Sequence, residues 1–224
     1  STGQRWSKRN RTSAASASTP FPSRATCSDL LPRYPLGTED LFFIVIFLQI
    51  QYRSPMSPLF TKTLTQIPLS LTEALFRLAE RVQAEPTTGN LPGRAFVVGG
   101  FVRDLLCGRA STDIDVEVYG IPAERLFEIA TELFPGHVHE VGRQFGILHI
   151  PIEHDGTIDL ALPRQESKEQ EGHRGFSITS DPFLPLETAV RRRDFTINAL
   201  LWDPLTNELI DLVNGQRDLE EKVI

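Results

Sequence analysis

The stretch "STDIDVEVYG", Ser111–Gly120, governs how the rest of the chain is read. Ile114, Val116 and Val118 alternate with Asp113, Asp115 and Glu117, and Gly120 ends the run. That period of two predicts a strand, although acidic residues are disfavoured in strands. Side chains two apart share a face, so Asp113 and Asp115 stand roughly 7 Å apart on one side of it. Two carboxylates so placed can offer hard oxygen ligands to one or two divalent cations. Taken alone, the pair reads as solvated acids on an edge strand. An EF-hand loop is excluded, because the residues between the acids are apolar and no glycine stands at the sixth place.

The neighbouring sequence changes that reading. "RAFVVGG", Arg94–Gly100, is a short buried strand running into a glycine pair, and "FVRDLLCGR" after it reads as a short helix stopped by Gly108. Gly99 and Gly100 at a strand-to-helix turn let backbone N–H groups approach a phosphate. Arg103 follows in the first helical turn, within reach of the same anion, although a surface ion pair with Asp104 would also account for it. The turn is neither a Walker loop nor a dinucleotide fingerprint. A phosphate-cradling turn followed closely by a cation-binding pair is a combination suited to phosphoryl transfer. Asp159, in "TIDLAL", faces away from Ile158 and Leu160 and can join the pair if its strand is adjacent. In "RRRDFTINAL", Arg192 and Arg193 sit beside Asp194 with Asn198 beyond. Arginines on a helix suit bidentate phosphate binding, and Asn198 can hydrogen-bond a sugar or phosphate.

Outward from this centre the chain reads as a mixed α+β domain around a small sheet flanked by helices. "LSLTEALFRLAERVQ" has helical spacing, with Ser70 as cap and Glu73 three residues on. Pro122 opens a second amphipathic helix. "FGILHIPI" and "TIDLALP" form a hairpin through "EHDG", and Arg164 to about Asp181 is a polar loop. "LETAVRRRDFTINALLWDP" reads as one amphipathic helix with Leu186, Val190, Ile197 and Leu201 inside. "ELIDLVNGQRDLEEKVI" gives a short strand, a turn and the start of a helix. Cys107 reads as a small buried residue, "HVHE" (His137–Glu140) as a polar strand end, and His149, His154 and His173 as dispersed.

With 40% hydrophobic and 23% charged residues in 224, the composition is that of an ordinary globular protein, and 23 basic against 29 acidic residues give a net charge of −6. A generally basic nucleic-acid binder is thereby disfavoured, though a local basic patch is not. Cys27 and Cys107 are too few and too dissimilar for a disulfide framework or a zinc site, so a reducing compartment is expected. Residues 1–68 read as an extension and 69–224 as the folded domain. Ser1–Ser28 carries five basic and no acidic residues. It reads equally as an organellar transit segment or as sequence upstream of a start at Met56, and as disordered in either case. The apolar run Leu41–Ile50 is too short to span a membrane.

"VVGGFVRDLLCG", "DIDVEVYG", "DLALPRQESK", "HRGF", "RRRDFTINALLWDP" and "LIDLVNGQRDLEEKVI" together resemble the head domain of class II tRNA nucleotidyltransferases. These are the CCA-adding enzymes and their bacterial poly(A) polymerase relatives, within the DNA polymerase β-like superfamily. The resemblance runs from about Phe96 to Ile224. It implies a catalytic sheet in which Asp113 and Asp115 bind two magnesium ions and Asp159 is a third carboxylate. It further implies that Gly99, Gly100 and Arg103 bind the triphosphate of CTP or ATP, and that Arg193, Asp194 and Asn198 hold the nucleotide and its ribose. The partner it implies is the 3′ end of tRNA, with a flexible loop over Glu166–Gly175 serving the last addition. The chain departs from the family where Asp211 is followed by Leu212 and where Asn214 precedes Gly215. It also stops before the neck, body and tail that in the family read the base and hold tRNA, so weak or no tailing by this chain alone is expected. A C-only, A-only or poly(A) enzyme fits the same residues, and a non-catalytic nucleotide- or RNA-binding remnant is the alternative of another class. The expected location is the cytoplasm, or an organelle if the basic segment is a transit peptide. No membrane partner is expected, and the oligomeric state is not readable.

Overall fold

The computed structural model describes residues 57–87, 91–141, 146–168 and 176–224. The basic segment Ser1–Ser28, Cys27, the run Leu41–Ile50, His173 and the 169–175 part of the expected flexible loop lie outside the described residues.

Six α-helices and nine strands are described. In chain order they are α1 (Pro58–Leu64), α2 (Leu69–Gln83), β1 (Arg94–Val98), α3 (Gly100–Leu106), β2 (Asp113–Tyr119), α4 (Ala123–Leu133), β3 (His139–Val141), β4 (Ile147–Ile152) and β5 (Gly156–Ala161). Then come β6 (Arg164–Lys168), β7 (Phe176–Ser180), α5 (Leu186–Arg191), a 3₁₀ turn (Thr196–Asn198), β8 (Leu201–Asp203), β9 (Glu208–Ile210) and α6 (Gly215–Glu221). Seven strands form one mixed sheet in the order β3-β4-β5-β2-β1-β8-β9, and β6 and β7 make a separate ribbon. Every pairing in the sheet is antiparallel except β2 with β5.

The core follows from the two periodicities. Ile114, Val116 and Val118 of β2 are buried, and α2 buries Leu71, Leu75, Leu78 and Val82 along one stripe. On the other face, Phe96 and Val98 of β1 join Tyr119, Leu201, Leu184, Ala189 and Val190 in a second apolar cluster beneath α5. Trp202 is fully buried and meets Phe60 and Phe76 edge-on, at ring-centroid distances of 5.4 and 6.5 Å. Phe60 belongs to α1, inside the stretch the sequence sets apart as an extension, so the packed unit reaches back at least to Pro58.

Four expectations are corrected. The segment from Leu186 is not one helix. α5 ends at Arg191, Phe195 is extended, a single 3₁₀ turn follows, and Leu201 enters β8 beside β1. The run "ALLW" is buried on all sides, which suits a strand in the sheet better than a helix with one wet face. The expected polar loop contains the paired ribbon β6–β7. Ser70 does not cap α2, whose cap position is Pro68; its hydroxyl instead donates to the Asp155 carboxylate at the β4–β5 turn. Cys107 is exposed at the end of α3 rather than buried. The "EHDG" hairpin forms as expected. Gly156 in it has φ +144°, and a Cβ there would fall 2.1 Å from the Thr112 carbonyl oxygen.

Two substitutions test this packing in urea unfolding of the whole chain. Phe60→Ala should cost about 3 kcal/mol, the usual loss for a buried aromatic; a cost below about 1 kcal/mol would separate α1 from the domain. Gly156→Ala should cost at least about 2 kcal/mol, from backbone strain and the clash with Thr112.

Candidate functional site

β2 is not an edge strand. It lies between β1 and β5, in register Val98↔Asp115 on one side and Asp115↔Asp159 on the other. Directly opposed residues share a face, so Asp113, Asp115 and Asp159 project together from the open end of the sheet. The parallel β2–β5 pairing thus satisfies the condition on which Asp159 joins the pair. The row continues through His149, opposite Asp159, and His139, opposite His149.

Each acid has a neighbour that orients it. The Thr157 hydroxyl donates to Asp113 Oδ1 at 2.8 Å. His149 Nδ1 lies 2.5 Å from Asp159 Oδ1. Asp115 Oδ2 faces the glycine turn, where a Cβ on Gly99 would stand 3.1 Å from it. Gly99 itself has φ +74°, a conformation that favours glycine. Solvent reaches Asp115, yet the protein packed on its flanks disfavours its charge. Burial raises its carboxyl above the usual aspartate range, the charges of Asp113 and Asp159 add to the shift, and Arg193 opposes it.

The cationic residues approach from two sides, Arg193 from the chain beyond α5 and Arg103 from α3. Arg193 Nη1 lies 3.8 Å from the Cβ position of Gly99. Arg103 makes the ion pair with Asp104 at 2.9 Å and also donates from Nη1 to Asn198 Oδ1 at 2.8 Å, so two expected nucleotide-binding residues meet. Gly100 sits against the Arg103 guanidinium, at 3.3 Å from a built Cβ. Asp194 is exposed in the turn after Arg193. Asn198 rides on the 3₁₀ turn, which α6 buttresses: Thr196 donates to Asp218 at 2.6 Å, and a Cβ on Gly215 would stand 2.2 Å from the Thr196 carbonyl oxygen. Asp211 accepts from the N–H groups of Val213, Gly215 and Gln216, closing the turn despite its departure from the family pattern.

Glu117 does not extend the carboxylate row into solvent. It is 2% exposed and accepts from Tyr119 Oη at 2.9 Å and Arg192 Nη2 at 2.8 Å, with Arg193 Nη2 at 3.5 Å. The roles of Glu117, Thr157 and His149 were not readable from spacing. For Glu117 the one available signal was a third acid on a strand face that turns apolar at Tyr119.

The donor set suits a small divalent cation. Among the described residues no three acidic, histidine or cysteine side chains form a complete cage. Magnesium is commonly held by one or two carboxylates, with water and substrate phosphates completing the shell. Asp113 and Asp115 are two carboxylates of that kind, and with Asp159 they form a set whose mutual repulsion a cation would relieve.

Comparison with known proteins agrees with this architecture. The family profile described as Poly A polymerase head domain matches residues 95–224. The multifunctional CCA protein of Xylella fastidiosa (strain M12) is 36% identical over 131 residues, which are 58% of this chain and 29% of the relative. That of Stenotrophomonas maltophilia (strain K279a) is 38% identical over 132 residues, 58% of this chain and 30% of the relative. Among solved structures, the apo form II of a CCA-adding enzyme superposes with a TM-score of 0.57 at 32% identity, covering 72% of this chain and 36% of its own. A CCA-adding enzyme complexed with CTP gives 0.51 at 29% identity, covering 73% and 34%. The chain thus spans about a third of the length of the proteins it matches. With its mixed sheet, its paired carboxylates and a profile match over more than half its length, the chain belongs to the poly(A) polymerase head-domain family.

Proposed function

We propose that this chain carries the nucleotidyl-transfer head of an enzyme that adds C and A residues from CTP and ATP to the 3′ end of tRNA. The observation that carries the reading is the convergence of Asp113, Asp115 and Asp159 opposite the Gly99 turn, with Arg193 alongside. In the reaction the RNA 3′-oxygen bonds to the α-phosphorus while the bond to the pyrophosphate leaving group breaks. Gly99 and Gly100 leave room for the triphosphate, and Arg103 and Arg193 offset its charge. Asp159, held through Oδ1 by His149, keeps Oδ2 available to take the hydroxyl proton. Asp194 and Asn198 hold the nucleotide and its ribose. Asp113 and Asp115 would hold Mg²⁺, which when bound supplies Lewis-acid charge at the attacking and leaving oxygens.

Among the described residues no helix is long and apolar enough to cross a membrane; cytoplasmic location is part of the proposal. The name of the matching profile favours a second reading, tailing with A alone. Competition between CTP and ATP on a full-length counterpart separates the two, since an A-only enzyme ignores CTP.

Calorimetry on this chain should show ATP and CTP binding that requires Mg²⁺ and vanishes in the Asp113→Asn, Asp115→Asn double variant; metal-independent binding retained by that variant would count against the site. In a full-length counterpart, the same pair of changes should lower incorporation of labelled CMP and AMP into tRNA by about a thousandfold, equivalent to about 4 kcal/mol of transition-state stabilisation.

A further inference from the structure

The far end of β2 holds a charge cluster that the transfer chemistry does not itself require. Glu117 is buried on the same strand face as Asp113 and Asp115, and it is bonded to Tyr119 of the second cluster. A buried carboxylate is tolerated only when its charge and lone pairs are met. Here one oxygen takes Arg192, while the other takes Tyr119 and faces Arg193. Burial first, and then the Glu117 charge, push the Tyr119 phenol upward, so it stays a protonated donor. Arg192 donates to Glu117 while its own Nε is buried with no hydrogen-bond partner among the described residues.

Arg193 is the group that reaches out of this cluster. Its Nη2 is turned to Glu117 at 3.5 Å, and its Nη1 lies 3.8 Å from the Cβ position of Gly99. The two ends of one planar guanidinium are thereby assigned, one to a buried anchor and one to the glycine turn. Arginine carries a large rotamer entropy, and a site gains affinity when that freedom is removed before the ligand arrives. An arginine near enough to act on the Asp115 charge would, without such an anchor, be drawn onto that carboxylate instead.

We propose that Glu117, steadied by Tyr119 and Arg192, is a positioning residue that aims Arg193 at the triphosphate of the incoming nucleotide. This inference rests on the nucleotidyl-transfer reading above. It adds that affinity for the triphosphate depends on a carboxylate that never touches it.

The test is a double-mutant cycle on the whole chain, measured as Mg–ATP affinity by calorimetry, with circular dichroism and thermal melting as the check on folding. Glu117→Gln should weaken Mg–ATP binding about tenfold. In an Arg193→Ala background the same change should weaken it by less than about twofold, because the anchor then has nothing to aim. Tyr119→Phe leaves the carboxylate in place and should weaken binding about threefold, again only when Arg193 is present. If Glu117→Gln does not fold, the Tyr119→Phe cycle decides alone. A folded Glu117→Gln protein with unaltered affinity, or losses that add in full to that of Arg193→Ala, overturns the positioning role and leaves the transfer reading standing. Absence of Mg-dependent ATP or CTP binding in the unsubstituted chain removes the transfer reading, and the inference with it.

Discussion

Strand β2 is the element on which the rest of the structure depends. It runs antiparallel to β1 and parallel to β5, so its backbone is hydrogen-bonded on both sides. Its odd residues, Asp113 to Tyr119, face one way, and Ile114, Val116 and Val118 face the helical layer. A one-residue slip would drive two aspartates into that apolar layer and expose the branched residues, so the register is strongly specified. The same alternation that anchors the strand therefore fixes which way the acids point. A parallel neighbour requires a long connection. That connection, α4 with β3 and β4, carries His149 to its place against Asp159.

One face of β2 serves two opposite electrostatic purposes along its length. At Asp113 and Asp115 the face is open, and the negative charges are left to repel each other, a situation that a cation or a proton relieves. At Glu117 and Tyr119 the face is covered: Tyr119 packs with Ala189 and Val190 of α5, and Arg192 and Arg193 neutralise the Glu117 charge. Burial raises Asp115 while Arg193 opposes the shift, so Arg193 acts on both ends. Arg164, at the start of β6, belongs to the same surroundings: burial and then Arg192 lower it, and Glu117 counters them. The fold thus concentrates cations around the covered acid and leaves the open acids short of them.

Much of this was legible before any coordinates. The alternation in Asp113–Tyr119, the glycine turn before α3, the amphipathic helices α2 and α4 and the Asp-Gly hairpin all follow from local pattern. So did the membership of Asp159 in the carboxylate set, conditional on its strand lying next to β2. The failures share one cause. Solvated edge acids and central-strand acids have the same spacing, and nothing local tells them apart. "LETAVRRRDFTINALLWDP" satisfies a helical period over most of its length, but the buried pocket around Glu117 draws Arg192 inward and β1 recruits Leu201 into the sheet. Ser70 has the residue type and spacing of a cap, yet Asp155, 85 positions away, takes its hydroxyl.

The amino-acid sequence by itself determined which side chains share a face, where the chain turns and which residue types can meet a phosphate or a divalent cation, because these depend on backbone periodicity and local chemistry. Only the tertiary structure decided which faces are open and which are covered, and hence what each acid does. Asp113, Asp115 and Glu117 are indistinguishable as a pattern. Two remain open carboxylates, with a third brought beside them by β5, and one is an arginine anchor because Arg192, Arg193 and Tyr119 enclose it.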